Sequence, residues 1–286
     1  MRRGAGRGGA GSGRRPGRYV AALLVPALLL GGCAQSVRPI ERLGKKAAEG
    51  VRPHGAAHDQ AYRRWGLTEP LARPPQPAAR ALVLTPPDAV HRPLPLPVDH
   101  VATRDRVVFL TYDDGADKDP RFVDMVRELR LPVSMFLTDS IAGPGYGHFA
   151  RLHRQGAGIE NHALEHHALP ALPYAGQRAE ICGQQDRLRS RLGLRARLFR
   201  PPYGAYDTTT LRAAADCGIS AVVLWRAAMT PDGLVYTHGE HHLRPGDIIL
   251  VGPDGATGRT LRERTARVLR RAQQRGLTAG RLEDYL

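Results

Sequence analysis

The sequence contains few lysines, few cysteines and few aromatic residues. Only three of its 42 basic residues are lysines, its cysteines also number three, and aromatic residues make up 6% of the 286 residues. There is no CxxC pair and no zinc-finger spacing of Cys and His, and no stretch interleaves basic and aromatic side chains as a base-stacking surface would. We therefore expect no nucleic-acid partner, and the formal charge of +15 favours a basic surface that faces anionic envelope polymers.

The chain also lacks an apolar run long enough to span a bilayer. Its most apolar stretch, YVAALLVPALLL at residues 19–30, follows a segment with six arginines and no acid, and it leads into the sequence LGGC. A basic start, a short apolar segment and small residues at a cleavage point are typical of an export signal. Because LGGC resembles a bacterial lipobox, residues 1–32 are predicted to be a lipoprotein-type signal peptide. Cys33 would then be acylated, and the exported protein would be lipid-anchored at the extracytoplasmic face of the cell membrane; the alternative is an ordinary secretory signal.

Besides Cys33, the chain has two cysteines, Cys182 and Cys217, and each lies in a segment with a helical pattern. Disulfides persist in the compartments that exported proteins occupy. We therefore predict a disulfide between these two residues, with two separate buried thiols as the alternative.

The composition divides the chain into three parts. After the signal peptide, residues 33–100 are predicted to be a tether, because residues 70–97 hold nine prolines and proline at this density gives an extended, semi-rigid spacer. Trp65 within this tether is expected to pack against the main domain. Residues 101–286 are predicted to form the catalytic domain.

From residue 101 onward, apolar segments alternate with helical patterns. The segments RVVFLTY, PVSMFLT, GIEN, RLFR, ISAVVLW and DIILV are typical of buried strands, and amphipathic segments separate most of them. This alternation predicts an α/β fold with a parallel sheet that closes into a barrel or near-barrel. Chemistry in such folds lies where strands end and the following loops begin.

Polar residues suited to catalysis follow two of these segments. Asp113 and Asp114 come directly after RVVFLTY, and His162 and His166 come after GIEN. A spacing of four residues would put the two imidazoles on one face if the loop makes a helical turn. Two histidines and a carboxylate form a common ligand set for zinc or a similar divalent ion. Asp114 is the predicted carboxylate ligand, which leaves Asp113 to take a proton from water beside the ion.

The motifs TYDDG, HALEH and RPPYG, in this order, resemble those of the polysaccharide deacetylases, the NodB-homology domain of carbohydrate esterase family four. The resemblance covers residues 104–286 and implies a distorted (β/α) barrel. It also implies metal-dependent removal of acetyl groups from N-acetylglucosamine polymers, with zinc as the expected ion and cobalt or another divalent ion as the alternative. Carried over, it assigns Asp113 as base, Asp114, His162 and His166 as metal ligands, Arg200 as the residue orienting the base, and the backbone N–H of Tyr203 as an oxyanion donor.

The chain departs from this family pattern at three positions. The histidine proposed as general acid falls at about Gly252, the Ser or Thr after the first ligand histidine is Ala163, and the acid expected after the strand tryptophan is Arg226. The last change predicts that Arg200 lacks its usual acidic partner. His238 or Asp254 could replace the missing acid from a loop; the alternative is that both are exposed loop residues.

Three functional hypotheses remain. The first is a deacetylase that acts on peptidoglycan or a related glycan containing N-acetylglucosamine, held at the membrane by its lipid anchor. The second is a catalytically impaired glycan-binding lipoprotein, because general acid help usually contributes about a hundred- to ten-thousand-fold. The third is an esterase for O-acetyl groups, because an alkoxide leaving group needs less proton assistance than an amine does.

Overall fold

The computed structural model describes residues 60–76, 93–252 and 258–286. The predicted signal peptide, Cys33 and Asp254 lie outside these residues. The strands are β1 (Leu96–Val98), β2 (Val107–Tyr112), β3 (Ser134–Leu137), β4 (Gly158–Asn161), β5 (Leu198–Phe199), β6 (Ala221–Val223), β7 (Ala227–Met229), β8 (Leu234–Tyr236), β9 (Ile248–Leu250) and β10 (Thr278–Gly280). The helices are α1 (Ala61–Arg64), α2 (Pro120–Leu129), α3 (Asp139–Ala142), α4 (Tyr146–Arg154), α5 (Tyr174–Leu192), α6 (Thr208–Asp216) and α7 (Leu261–Gln274).

These strands form one curled sheet in the order β1-β6-β5-β4-β3-β2-β9-β7-β8, with β10 also paired to β2. Among the strands named above, only the β7–β8 pair is antiparallel. Helices α2, α4, α5, α6 and α7 follow or connect parallel strands, so the fold is the expected α/β, distorted (β/α) barrel. No helix in the described part of the chain has the length and apolar character needed to cross a bilayer.

Local sequence explains where the main elements begin and end. All six residues of β2 are buried, as expected for a parallel strand that is covered on both faces. Helix α2 begins after Asp119, whose side chain accepts a hydrogen bond from the N–H of Arg121 at 2.9 Å, and Pro120 fits its first turn. Helices α6 and α7 both begin with a capping box.

The parallel register brings the ends of four strands to one rim. Leu137 at the end of β3 pairs with Asn161 at the end of β4, and Asn161 in turn pairs with Phe199 of β5. Thr111 near the end of β2 pairs with Ser134 of β3. The residues after β2, β3, β4 and β5 therefore meet at the same edge, as the position of their motifs after the strands predicted.

The sheet begins earlier in the chain than the composition indicated. Strand β1 at Leu96–Val98 pairs with β6, so these residues of the predicted tether 33–100 belong to the domain that was expected to begin at 101. His100 then bridges Asp247, and the N–H of Val101 donates to the carbonyl of Gly246 at 2.8 Å. The high proline content around β1 did not prevent pairing, because a strand at the edge of a sheet needs a partner on one side only.

The N-terminal segment at residues 60–76 packs against the barrel. Trp65 is buried, and its indole N–H donates to Glu128 of α2 at 2.8 Å. Thr278 of β10 donates from its hydroxyl to the carbonyl of Ala72 at 2.6 Å. This part of the predicted tether is therefore attached to the domain, and the expected packing of Trp65 is confirmed.

A disulfide joins Cys182 in α5 to Cys217 at the end of α6. The two helices flank β5. The bonded cysteines are 35 positions apart in the sequence, and the RPPYG motif lies between them. The predicted pairing is therefore present, in place of two separate thiols.

Candidate active site

The turn after β2 holds Asp114 and Gly115 in the left-handed backbone conformation. Asp114 has φ +64° and Gly115 has φ +80°. A Cβ atom on Gly115 would lie 2.8 Å from Cζ of Phe149, so this position requires glycine both for its backbone angle and for its space. The tight turn presents both carboxylates at the rim.

The loop after β4 does not make the helical turn that the spacing of His162 and His166 suggested. The loop is irregular, and Ala163 and His166 both have positive φ, +65° and +64°. The side chain of Asn161 braces its start, because Oδ1 accepts from the N–H of Ala163 and Nδ2 donates to the carbonyl of Ile181, each at 2.9 Å. Two left-handed residues, rather than helical periodicity, bring the imidazoles together.

Two residues that the sequence analysis missed hold these loops in place. Thr138, at the end of β3, donates its N–H to the carbonyl of Asp114 at 3.3 Å and its hydroxyl to the carbonyl of His162 at 2.8 Å. Glu180 of α5 accepts from the N–H groups of Leu164 and Glu165 at 3.2 and 2.9 Å. Neither residue lies in a recognisable motif, so only the tertiary structure reveals these roles.

The structure brings the three predicted metal ligands together. Nε2 of His162 and Nε2 of His166 lie 3.4 and 3.1 Å from Oδ1 of Asp114, and one ligand atom from each of these residues lies within 4.8 Å of the others. Burial alone would raise the pKa of Asp114, but the two imidazoles beside its carboxylate outweigh burial and hold that pKa well below its ordinary range. The carboxylate is therefore ionised at neutral pH, as a cation ligand must be.

The donor set fits a divalent cation. Nδ1 of His162 lies 2.7 Å from the carbonyl of Arg200 and must donate to it, so Nε2 of the neutral ring carries a lone pair. This lone pair faces Oδ1 of Asp114, a buried atom that accepts no well-aligned hydrogen bond. Lone pairs that converge in this way repel one another unless a cation lies between them.

Arg200 holds the predicted base. Its guanidinium is fully buried, and Nη1 donates to Oδ1 of Asp113 at 2.7 Å. Nε and Nη2 donate to the carbonyls of Val223 and Leu224 at 3.2 and 3.0 Å. The other oxygen of Asp113, Oδ2, lies 3.8 Å from Nε2 of His162 and therefore borders the cation site.

Because residue 226 is not acidic, Arg200 was expected to lack one of its partners. In the structure Arg200 has no second acidic partner, but it does have hydrogen-bond acceptors. Backbone carbonyls of the β6 end take the place of the missing acid. Arg226 points to its own partner: its Nε and Nη2 both bind the carboxylate of Asp247 at 2.5 Å, and both side chains are fully buried. Arg226 also donates to the carbonyls of His238, Glu240 and His242, so it fixes the 238–242 loop.

Tyr203 has φ +61° within the short 3₁₀ turn Pro202–Gly204. Its ring is 69% exposed and meets the His166 ring edge-on at 4.7 Å between centroids. Within the described residues its backbone N–H donates no hydrogen bond. An N–H without a partner is available to donate to a ligand, as the predicted oxyanion role requires.

The predicted replacements for the missing acid are engaged elsewhere or lie outside the described residues. The ring of His238 is 2.5 Å from Asp99, His241 stacks on Tyr236, and His242 pairs with Glu240. Asp254 falls within residues 253–257, which the structure does not describe. Gly252 lies two residues after the end of β9, and a Cβ atom there would meet no atom within 4 Å.

The chain is similar in sequence to polysaccharide deacetylases. The family model for polysaccharide deacetylases matches residues 100–222. Over 277 residues the chain is 52% identical to an uncharacterised protein of Streptomyces coelicolor, covering 96% of this chain and 99% of that protein. It is 28% identical over 128 residues to a chitooligosaccharide deacetylase of Sinorhizobium fredii, and that match spans 40% of this chain and 55% of the relative.

Solved structures show the same fold. A pseudoenzyme of carbohydrate esterase family 4 from Bacillus anthracis matches with a TM-score of 0.56 and 16% identity. The match covers 67% of this chain and 69% of that one. At this level of identity the likeness concerns the fold.

Proposed function

Because the chain belongs to the polysaccharide deacetylase family of carbohydrate esterase family 4, we propose that it hydrolyses N-acetyl groups on amino-sugar polymers of the cell envelope. Deacetylases of this family depend on a metal ion. Asp114, His162 and His166 would hold a divalent cation, and two imidazoles with one carboxylate favour zinc, with cobalt or another divalent ion as the alternative. The observation that carries the proposal is the convergence of these three ligand atoms beside Asp113.

The chemistry follows from how each group is held. A divalent cation held by these residues would polarise an acetyl carbonyl and would lower the pKa of an attacking water. Asp113 takes the proton from that water through Oδ2, because Arg200 occupies Oδ1. The same buried guanidinium fixes the orientation of the carboxylate.

The acetyl carbonyl gains negative charge as the tetrahedral intermediate forms. The N–H of Tyr203 donates to this oxygen, a contribution of about 3 kcal/mol when such a donor is pre-positioned. The left-handed conformation at Tyr203 sets the direction of that N–H and so serves the chemistry directly.

A second candidate function rests on Gly252. An amine leaves slowly unless a proton reaches it, and the position expected to supply that proton carries no side chain. The alternative is therefore a glycan-binding protein with impaired turnover, or an enzyme for O-acetyl esters. The Bacillus anthracis relative of known structure is described as a pseudoenzyme, and a variant of it is described as having restored activity.

The substrate and the location are part of the proposal. The name of the Sinorhizobium relative points to chains of N-acetylglucosamine, and an export signal with Cys33 as lipid attachment site would place the domain beside peptidoglycan. Incorporation of labelled fatty acid into the parent chain, and its loss in Cys33→Ser, tests the anchor.

Acetate release tests the activity. The mature chain is loaded with zinc or cobalt and given N-acetylglucosamine oligomers, cell wall and an O-acetylated glycan, with Asp113→Asn as a control of the same shape. Release from N-acetyl substrates at least a hundredfold faster than that of the control is expected. Release from O-acetyl substrates alone supports the esterase, and glycan binding without release supports the impaired protein; neither binding nor release contradicts all three.

A further inference from the structure

A second concave site lies outside the barrel, between the N-terminal segment and α7. The pocket has a volume of about 400 Å³, and Trp65 and Ala266 form part of its lining. Five arginines line it: Arg64, Arg259, Arg262, Arg267 and Arg270. Glu263 is the single acidic residue in the lining.

Acidic residues balance only part of this charge. Glu263 binds the N–H and hydroxyl of Thr260 as a helix cap. Arg64 pairs with Glu128, and Arg262 pairs with Asp119. Carboxylates thus pair with Arg64 and Arg262, while Arg259 donates to the carbonyl of Pro231 at 2.8 Å and lies near Glu263.

Arg267 and Arg270 have no carboxylate within ion-pair distance among the described residues. Each donates from Nη1 to a backbone carbonyl instead, Arg267 to Pro231 at 3.0 Å and Arg270 to Gly66 at 2.8 Å. A carbonyl fixes the position of a guanidinium without cancelling its charge. Both side chains are half-buried and lie three residues apart on α7, a spacing at which like charges repel.

The geometry points to a binding site for a phosphate ester carried on a flexible, soluble envelope polymer. Several fixed guanidinium forks match a group with more than one acceptor oxygen, and phosphate provides this better than a single carboxylate does. The arginine side chains line a recess rather than a protruding surface. A phosphate group on a thin polymer chain can therefore enter more easily than the flat face of a bilayer. This site is separate from the metal-binding rim and does not depend on the proposed catalysis.

Phosphate titration tests the site. The full chain with Cys33→Ser, which prevents acylation, is stripped of metal so that phosphate has no ion to coordinate at Asp114. Inorganic phosphate and glycerol 3-phosphate are titrated by calorimetry in 150 mM salt. The variant Arg267→Gln/Arg270→Gln should bind both at least tenfold more weakly than the parent.

The matched control is Arg191→Gln/Arg195→Gln, which removes the same charge from two exposed residues that do not line the pocket. It should bind like the parent, and both double variants should keep the parent's thermal midpoint. Arg267→Lys/Arg270→Lys keeps the charge but loses the planar guanidinium groups. Its affinity for phosphate should lie between those of the parent and of Arg267→Gln/Arg270→Gln. Equal weakening in the Gln pair and the control pair overturns the site, because binding would then follow net charge.

Binding to vesicles distinguishes the two sources of phosphate, a soluble polymer and a lipid headgroup. A soluble poly(glycerol phosphate) should compete with glycerol 3-phosphate for the parent chain. Binding that occurs only to vesicles containing phosphatidylglycerol, with no binding of soluble phosphate or polymer, overturns the proposal in favour of a membrane contact.

Discussion

At the scale of single residues, backbone strain is concentrated at the candidate site. Five non-glycine residues in the described part of the chain have positive φ, and four of them are Asp114, Ala163, His166 and Tyr203. The fifth, Arg130, ends a helix, where such a conformation is common. Strained conformations persist only where the surrounding structure fixes them, and here Thr138, Asn161 and Gly115 do so.

Gly252→His should restore a proton donor. A Cβ atom there would meet no atom within 4 Å and the backbone angle is not left-handed, so the backbone at this position accepts a side chain. We expect acetate release from N-acetyl substrates to rise about 10- to 100-fold, with a smaller gain on O-acetyl esters. Gly252→Gln adds a side chain of similar length that does not titrate, and equal rates in the two variants would show that the missing proton does not limit the reaction.

Glu160→Gln should stabilise the fold near neutral pH. Burial, and then the charge of Glu283, raise the pKa of Glu160 well above its ordinary value. The stability that depends on its protonated form is complete below about pH 4 and is lost as the pH rises through the raised pKa. A glutamine oxygen can still accept the N–H groups of Arg197 and Leu198.

Urea unfolding between pH 4 and pH 8 measures this effect. The gain in free energy of unfolding should be near zero at pH 4 and reach about 1–2 kcal/mol at the upper end. Glu69→Gln on the surface is the control and should change little at any pH. A gain that does not vary with pH would show that Glu160 does not titrate in this range.

At the scale of elements, helix α5 positions a loop that it does not belong to. Glu180 binds two backbone N–H groups of the 164–165 segment, and its Oε1 lies 3.0 Å from Nδ1 of His167. The same helix supplies Gln184, whose Nε2 donates to the carbonyl of Leu137 at the β3 end. The geometry of His166 therefore depends on a helix that packs beside the loop.

Glu180→Ala should weaken metal binding without removing a ligand. Loss of these contacts frees the loop and costs about 10- to 100-fold in affinity, as is typical for groups that orient metal ligands. Glu180→Gln keeps a hydrogen-bond acceptor and should lose less metal affinity. Competition with a chromophoric chelator gives the affinities; activity that does not recover in Glu180→Ala at saturating metal would contradict a purely positioning role.

At the scale of the whole molecule, contacts far apart in sequence close the structure around the site. The 60–76 segment packs on α2 and α7, β1 pairs with β6, and the C-terminal Tyr285 meets Phe109 of β2 edge-on at 5.0 Å. The disulfide adds a covalent connection between α5 and α6. These contacts hold the four strand ends in register.

Cys182→Ser/Cys217→Ser should lower the free energy of unfolding by about 3–4 kcal/mol, as expected for a bond that closes a loop of this length. Urea unfolding of the parent in the presence of a reductant should give a similar loss. Cys33→Ser is the control and should unfold like the parent. An unchanged midpoint on reduction would show that the bond does not contribute to stability.

The sequence by itself predicted six of the strands, β2 to β6 and β9, and the motifs that follow them, but not β7, β8 and β10. The apolar runs of RVVFLTY and GIEN, and the caps at Asp119 and Thr260, act locally and can be recognised without a structure. The family resemblance assigned roles to Asp113, Asp114, His162 and His166 for the same reason: each lies in a short motif at a fixed place in the chain.

Only the tertiary structure decided how these groups are held. The non-helical loop between His162 and His166, the bracing by Thr138 and Glu180, the carbonyl partners of Arg200 and the separate Arg226–Asp247 pair all join residues distant in sequence. So does the pairing of β1 with β6, which moves the start of the domain ahead of residue 101. Periodicity and motifs describe neighbours along the chain, whereas these contacts depend on which chain segments the closed sheet brings together.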